Sequence, residues 1–331
     1  MTIERHNLYK KLEQMQNSQV LVYITGDRRG LETSIGNDVY DFFVNQLDKI
    51  GPVPKISLFL YTRGGDTLSA WSIINLIKQF AGEVEVIVPS KCHSAGTLMS
   101  LGAKQIIMTK QATLGPIDPS INHPLNPQIP GAPFGANIPI SVEAIEGYIQ
   151  LMKEECEFNK DHDTNKLIET LSNNIHPVVL GQVYRAKTQI KMLSRRLLSE
   201  QVKDDSKIEK IIDFLCSSSG SHDYTIHRRE ARDELGLNII TPDDTLYRII
   251  KDIYDDIEND LELTTTYDLN QILGTNQTAS YSFKRALIES IAGGSYYFIS
   301  EGVLSKQIIQ IQPGVVQNIL NDQRTFEGWK R

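Results

Sequence analysis

The sequence is poor in cysteine and has no long apolar run. The three cysteines among its 331 residues are odd in number and far apart: Cys92, Cys156 and Cys216. This spacing supplies neither a disulfide framework nor the paired thiols of a zinc site, and it favours a reducing compartment. No stretch approaches the roughly 20 apolar residues that cross a membrane, and the polar N-terminus has no apolar signal core. We therefore expect a cytoplasmic protein without an integral membrane segment.

An excess of basic charge is also lacking. The chain has 34 Lys and Arg against 41 Asp and Glu, a formal net charge of -7, which disfavours a surface for nucleic-acid phosphates. Its seven histidines form neither an i,i+4 pair nor an HExxH pattern, so no catalytic metal is predicted. A phosphate-binding P-loop is missing as well. These absences imply no cofactor and no nucleic-acid partner.

The first part of the chain alternates between strand-like and helix-like patterns. Apolar strand-like runs occur at 20–24, 58–60, 84–88 and 105–108, with helical patterns between them. This alternation predicts an α/β fold with a parallel sheet and right-handed crossovers. Further helices are predicted at 142–159, 167–173, 177–198, 208–215, 228–235 and 245–261. A strand is expected at 296–299.

Two successive strand-to-helix turns carry residues that can do chemistry. Ser94 follows the strand at 84–88 and opens a helix, so its hydroxyl could stand exposed beside the N–H groups of the first helical turn. Gly64 and Gly65 end the preceding strand and could present backbone N–H groups to a substrate. Taken alone, the serine also fits a helix cap and the glycines a tight turn. Binding sites in open α/β sheets lie at such carboxyl ends of strands.

Four motifs, taken in order, carry a family resemblance. They are Arg-Gly-Gly-Asp at 63–66, His-Ser-Ala-Gly-Thr at 93–97, Leu-Gly-Pro-Ile-Asp-Pro at 114–119 and Ser-His-Asp-Tyr-Thr-Ile at 221–226. The chain thereby resembles the Clp protease/crotonase fold, and most closely its serine dehydrogenase proteinase branch, which is related to signal peptide peptidase A. The resemblance covers roughly residues 18–245.

The resemblance implies both an architecture and an activity. The fold would be a Clp protease/crotonase-like repeated β-β-α superhelix with a mostly parallel sheet, plus helical additions. Residues 1–245 would form the serine protease domain and residues 246–331 a C-terminal α/β extension. The activity would be that of a serine peptidase acting on polypeptides, and the protein would form a homo-oligomer.

The resemblance also assigns roles to residues at the two turns and just beyond them. Ser94 would be the nucleophile, and the backbone N–H groups of Gly65 and Ala95 would form the oxyanion hole. The residues implied in substrate binding are Gly64, Asp66, Gly115 and Asp118.

The general base is less well defined. Clp proteases use a histidine downstream of the serine, but the comparable stretch at 113–118 contains none. The signal peptide peptidase A relatives use a lysine, which must be neutral to accept a proton. In the stretch at 171–177, the position that corresponds best to this lysine holds a serine. We expect Lys166 to act as the base in preference to Lys187, although both also fit solvated surface lysines.

Several alternatives remain open at this stage. Cys92 could be a rival nucleophile, and His93 a rival base, although neighbouring side chains on an extended strand point to opposite faces. Asp118 could orient a base or cap a turn, and the pair His222–Asp223 could reach the site or organise a helix start. The serine peptidase is the leading function. A catalytically weak peptide-binding subunit and a crotonase-like acyl-thioester enzyme are the alternatives.

Overall fold

The computed structural model describes residues 1–131, 136–154, 163–218, 221, 223–312 and 315–331. The chain forms two compact units. The first comprises Met1–Thr113 and Ile239–Arg331, and the second comprises Leu114–Asn238. Contacts within the structure define these two units. The division into domains 1–245 and 246–331, made from the sequence, stays a prediction.

Ten α-helices and thirteen strands are present in the described ranges. The helices are α1 Ile3–Gln16, α2 Tyr40–Ile50, α3 Thr67–Phe80, α4 Ala95–Leu101, α5 Val142–Glu154, α6 Asp163–Asn174, α7 Pro177–Leu198, α8 Asp205–Asp213, α9 Asp244–Asp260 and α10 Leu269–Leu273. The strands are β1 Gln19–Thr25, β2 Val53–Tyr61, β3 Ala81–Val88, β4 Lys91–Cys92, β5 Gln105–Met108, β6 Thr113–Leu114, β7 Ser120–Ile121, β8 Ile140–Ser141, β9 Ile226–His227, β10 Ile239–Ile240, β11 Thr278–Ser290, β12 Gly294–Gln312 and β13 Val315–Lys330.

The first unit is built around an eight-stranded sheet in the order β10-β5-β3-β2-β1-β11-β12-β13. The pairs from β10 to β1 are parallel, and the pairs from β1 to β13 are antiparallel. Because β1, β2 and β3 are parallel, their carboxyl ends meet at one edge of the sheet. The turns that follow these three strands therefore lie next to one another.

Helices cover both faces of this sheet. On one face, α1 and α9 bury an apolar cluster in which Ile250, Ile253 and Ile257 recur at steps of three and four residues. A fully buried aliphatic side chain of this kind contributes roughly 1.5–3 kcal/mol relative to an exposed one. On the other face, Phe43 of α2 packs edge-on against Tyr23 of β1, with ring centroids 5.1 Å apart. The central strands are buried on both faces, as their nearly continuous apolar sequences require.

The second unit is mainly helical. Its core brings Ile145 of α5 against Val179 and Val183 of α7. Helix α7 begins at Pro177 directly after His176, whose side chain accepts a hydrogen bond from Val178 N. Proline is favoured in the first helical turn because its missing N–H would have no partner there.

The predicted α/β fold with a mostly parallel sheet and added helices is confirmed. The helix predicted at 177–198 has those bounds, and the strand predicted at 105–108 is β5. The last residues of the helix predicted at 142–159 lie outside the described residues. The short strand expected at 296–299 is part of the much longer β12. None of the helices in the described ranges is both long and apolar enough to cross a bilayer.

Candidate active site

The turns after β2 and β3 lie side by side in the first unit. Thr62 N donates to Lys91 O at 3.0 Å, and His93 N donates to Thr62 O at 3.0 Å. Thr62 Oγ1 also accepts hydrogen bonds from Gly64 N at 2.9 Å and from Thr25 Oγ1 at 2.6 Å. These bonds fix the Gly-Gly turn beside the segment that carries the serine.

Ser94 has an unusual backbone conformation. Its φ of 52° and ψ of -117° lie outside the regions that non-glycine residues favour. It occupies the N-cap position of α4, yet its hydroxyl makes no capping hydrogen bond. Throughout the described part of the chain, no group is hydrogen-bonded to Ser94 Oγ. Strained residues of this kind are often found at functional sites, where the surrounding structure holds them in place.

Gly64 and Gly96 allow the chain to approach Ser94 closely. A β-carbon on Gly64, which has φ of 113°, would lie 3.1 Å from Ser94 Oγ. A β-carbon on Gly96 would lie 2.4 Å from Thr62 Cγ2 and 3.0 Å from Cys92 Sγ. Both glycines are therefore needed for the first turn of α4 to pack against the Gly-Gly turn.

The N–H groups of Gly65 and Ala95 are available to a ligand. Ile35 N donates to Gly64 O at 2.8 Å, and Asp66 N donates to Ile35 O at 2.7 Å. This is parallel pairing centred on Gly65, so the N–H of Gly65 faces away from Ile35. Ala95 is the first residue of α4, where N–H groups have no partner within the helix. Neither N–H finds an acceptor within the described ranges.

Asp66 begins helix α3. Its Oδ1 accepts hydrogen bonds from Ser69 N at 2.7 Å and Ser69 Oγ at 2.6 Å. The side chain therefore caps the helix, a role that its sequence position also allows. Asp66 is exposed, so capping leaves its other carboxylate oxygen open to solvent.

Asp27 connects the two turns and was not foreseen from the sequence. Its Oδ1 accepts a hydrogen bond from Tyr61 Oη at 2.7 Å, and its Oδ2 accepts one from Lys91 Nζ at 2.6 Å. Burial, together with Tyr254 and Asp27, holds the pKa of Tyr61 well above its usual range, so the phenol stays protonated. Asp27 lies just beyond the carboxyl end of β1, the strand next to β2. This position next to the strand end is the sequence feature from which a role of Asp27 at the site could have been predicted.

Gly115 and Asp118 belong to the second unit. Both are buried. The carboxylate of Asp118 accepts hydrogen bonds from Ser141 Oγ at 3.1 Å and Glu143 N at 3.3 Å. Asp118 thus stabilises the start of α5, 25 residues further along the chain. Its assignment to substrate binding stays a prediction, as does that of Gly115.

Both candidate lysine bases also belong to the second unit, whereas Ser94 belongs to the first. Lys166 lies exposed on α6. Lys187 lies on α7, and its ammonium forms an ion pair with Glu146. Because a lysine base must be neutral, this pair must open before Lys187 can accept a proton. The assignment of the base stays a prediction for both residues.

The alternative nucleophile Cys92 and the alternative base His93 each have a polar partner in the structure. Burial raises the pKa of Cys92 to about 12, and its Sγ lies 3.4 Å from Ser100 Oγ. A thiol with this pKa is neutral at physiological pH and a poor nucleophile. His93 Nε2 is hydrogen-bonded to Thr113 Oγ1 at 2.8 Å.

His222 and Cys156 lie outside the described residues. Among those described, no three His, Cys, Asp or Glu side chains form a group suited to a metal.

Comparisons with known proteins agree with the motifs at these turns. A family model described as ClpP-like SDH-type serine proteinase matches residues 1–132. An uncharacterised protein of Methanocaldococcus jannaschii is 29% identical over 249 residues, which cover 73% of this chain and 75% of that protein.

Two solved structures are similar to parts of the chain. A mutant of the membrane-bound stomatin-specific protease 1510-N has 15% identity and a TM-score of 0.38, covering 74% of this chain and 86% of its own. ClpP1 from Listeria monocytogenes has 14% identity and a TM-score of 0.37, covering 71% and 99%. The family model spans both turns of the site. Residues 1–132 match the model of the ClpP-like SDH-type serine proteinases, and over this range the family resemblance indicated by the motifs is confirmed.

Proposed function

We propose that this protein is a serine peptidase that hydrolyses polypeptides, with Ser94 as the nucleophile. The observation that carries the proposal is that three polar groups at the paired turns are available to a substrate. The hydroxyl of Ser94 and the N–H groups of Gly65 and Ala95 all lack hydrogen-bond partners within the described ranges. An acyl-transfer site needs this combination of a nucleophile and two donors for the developing oxyanion.

The reaction follows from these roles. Ser94 Oγ attacks the scissile carbonyl carbon, and the N–H groups of Gly65 and Ala95 stabilise the negative charge on the carbonyl oxygen. A lysine accepts the serine proton, since a serine hydroxyl is a weak nucleophile without a base. We propose Lys166 for this role, with Lys187 as the alternative. The tetrahedral intermediate collapses as the C–N bond breaks, and the protonated lysine gives its proton to the leaving amine. The neutral lysine then takes a proton from water, which attacks the acyl-enzyme, and this proton returns to Ser94 Oγ as the acid product leaves.

Fluorophosphonate labelling tests the nucleophile. Wild type, Ser94→Ala and the control Ser206→Ala, which alters an exposed serine on α8, are labelled and examined by intact mass, with casein cleavage measured in parallel. The proposal predicts one label and cleavage in wild type and Ser206→Ala, and neither in Ser94→Ala. If casein cleavage survives in Ser94→Ala, the nucleophile is misassigned.

Two further variants test the base. Lys166→Ala is expected to abolish turnover, and Lys187→Ala to retain most of it. The reverse pattern would transfer the role to Lys187. The family resemblance also leads us to propose a homo-oligomer, and light scattering of the purified chain measures its mass directly.

A second candidate function is a peptide-binding subunit with little or no catalysis. It is favoured by the absence of a base hydrogen-bonded to Ser94 Oγ anywhere in the described ranges. Peptide binding without fluorophosphonate labelling, in a sample whose oligomer is intact, would support this candidate over the peptidase.

A further inference from the structure

A cavity of about 450 Å³ lies in the first unit, beside the proposed oxyanion hole. Its volume is within the range of small-ligand sites. The walls come from the segment before and at the start of α2 and from the first turns of α3. The residues that matter here are Gly36, Asn37, Tyr40, Asp66, Leu68 and Ser72.

The cavity is one residue away from the proposed oxyanion donor. Asp66 follows Gly65 directly, and Gly36 follows Ile35, the residue that pairs with Gly65. Consecutive Cα atoms are 3.8 Å apart, and an extended peptide advances roughly 3.3–3.6 Å per residue. The cavity wall at Asp66 is therefore one Cα step from the residue that supplies the proposed oxyanion donor.

Part of the cavity wall is apolar. Tyr40 is 40% exposed and Leu68 is 47% exposed, although both are large apolar side chains. They offer contact surface to an aliphatic stem. The ring of Tyr40 can also attract a cation placed over its face.

The polar part of the wall carries negative charge. No Lys, Arg or His is among the described residues that line the cavity. Asp66 Oδ1 is used by Ser69, whereas Oδ2 has no hydrogen-bond partner and Asp66 has no ion-pair partner within the described ranges. The N-terminus of α3 contributes about half a positive charge, which is less than the full negative charge of the carboxylate. The cavity is therefore suited to a cation.

We propose that this cavity binds the lysine or arginine side chain of a substrate polypeptide next to the scissile bond. The aliphatic stem packs against Tyr40 and Leu68, and the cationic end meets Asp66 Oδ2. The inference rests on the proposed peptidase function and adds a preference for basic residues to it.

The test uses internally quenched peptides of one sequence that differ at a single central residue. Arginine is compared with citrulline, which has nearly the same shape without the charge, and lysine with norleucine. For wild type, kcat/KM is expected to be about two- to fivefold higher for each cationic residue than for its neutral partner, and fivefold is the upper end for one exposed ion pair. Equal rates for the two members of each pair would overturn the proposal.

Asp66→Asn tests the assigned residue, because asparagine also caps helices well and so preserves the start of α3. We expect this variant to lose the preference for arginine, so that it hydrolyses the arginine and citrulline peptides at the same rate. Asp41→Asn removes the same charge from an exposed position on α2 that does not line the cavity, and it should keep the preference. If Asp66→Asn lowers the rates for both peptides equally, its role is structural and the proposal is wrong.

A binding measurement separates this proposal from the proposed function. Fluorescence anisotropy of the arginine and citrulline peptides is measured with Ser94→Ala and with the double variant Ser94→Ala, Asp66→Asn. Tighter binding of the arginine peptide that depends on Asp66 would support the cavity even if wild type hydrolyses neither peptide. Hydrolysis without any preference would support the peptidase and reject the cavity.

Discussion

Gly64 and Ser94 are in such close contact that a β-carbon added to Gly64 would lie 2.6 Å from the β-carbon of Ser94. Real β-carbons essentially never come this close, so Gly64 cannot gain a side chain without moving the serine. Both residues also have positive φ values, 113° and 52°. The position of the proposed nucleophile is thus set by the absence of a side chain on the neighbouring turn.

Gly64→Ala should therefore impair both stability and activity. We expect a loss of about 1–3 kcal/mol in the free energy of unfolding, from the clash and the unfavourable φ. Activity should fall by about 100-fold, because small displacements of reacting groups carry large rate penalties. Urea unfolding and peptide hydrolysis measure the two effects.

Gly181→Ala is the matched control for this substitution. Gly181 lies in α7, and a β-carbon there would meet no atom within 4 Å. Alanine should stabilise this helix by roughly 0.5–1 kcal/mol and leave activity unchanged. Normal activity in Gly64→Ala would show that the close contact is unimportant for catalysis.

Asp27→Asn tests whether the connection between the turns positions the nucleophile. The variant keeps a hydrogen-bond acceptor for Tyr61 but loses the ion pair with Lys91. We expect kcat to fall by roughly tenfold with KM unchanged, since positioning mainly affects the reacting groups. Lys91→Gln should have the same effect, and the double variant should be no worse than either single one. Additive losses would mean that the two residues act independently.

The buried thiols should be unreactive in the folded protein. Burial raises the pKa of both Cys92 and Cys216 to about 12, so only about 10⁻⁴ of each is thiolate at pH 8. Iodoacetamide should modify these two positions at least about a thousandfold more slowly in the native protein than in guanidinium, as read by peptide mass spectrometry. Rapid native labelling at Cys92 would show that the first turn of α4 opens readily.

The raised thiol pKa values also predict loss of stability in alkali. The unfolded thiols lose protons near their usual pKa of 9.0, whereas the folded ones resist until about 12. The stabilisation is therefore complete below about pH 9 and declines as the pH rises toward 12. Urea midpoints measured between pH 8 and pH 11 should decrease, and Cys92→Ala should decrease less steeply. An unchanged slope in that variant would argue against a buried neutral thiol.

The lowered pKa of Asp260 predicts that acid reduces the stability of the first unit. Burial alone would raise its pKa, but hydrogen bonds from Arg5, Lys284 and Tyr297 lower it to about 2, from a usual 3.8. Because the folded pKa is the lower one, the stabilisation is complete above about pH 4 and is lost as the pH falls to 2. The loss amounts to about 2 kcal/mol.

Urea unfolding across this pH range measures the effect. Asp260→Asn should be less stable than wild type at pH 7, with a difference that shrinks below pH 3. Asp255→Asn is the control, because Asp255 forms a surface pair with Lys251 and no other ion pair within the described ranges, and such a pair contributes at most about 1 kcal/mol. A pH-independent difference for Asp260→Asn would exclude this carboxylate as the acid-sensitive group.

Local sequence patterns predicted much of this structure. The period of apolar residues and the proline at its start define α7, and continuous apolar runs define β1, β3 and β5. The motifs also predicted that Ser94, Gly64 and Gly65 lie close together. They follow two neighbouring parallel strands, and the carboxyl ends of parallel strands meet at one edge of a sheet.

Contacts between distant segments could not be predicted in this way. The pairing of β1 with β11 joins opposite ends of the chain, and no local pattern specifies it. The pairing of Ile35 with Gly65, and the contacts of Asp27 with both turns, depend on the path of the loop after β1. The side chains of this loop become recognisable as part of the site only once the strands are assembled.

The antiparallel pairing of β1 with β11 has a consequence for biosynthesis. Register pairs run from Leu21 with Ser290 to Thr25 with Ala286, so one long edge of β1 has no partner until the ribosome has passed residue 290. During translation, the nascent chain therefore carries an apolar strand with open hydrogen-bonding groups, a surface that invites association with other chains. Products that terminate before β11 retain this open edge, so they keep a surface for strand pairing with other chains.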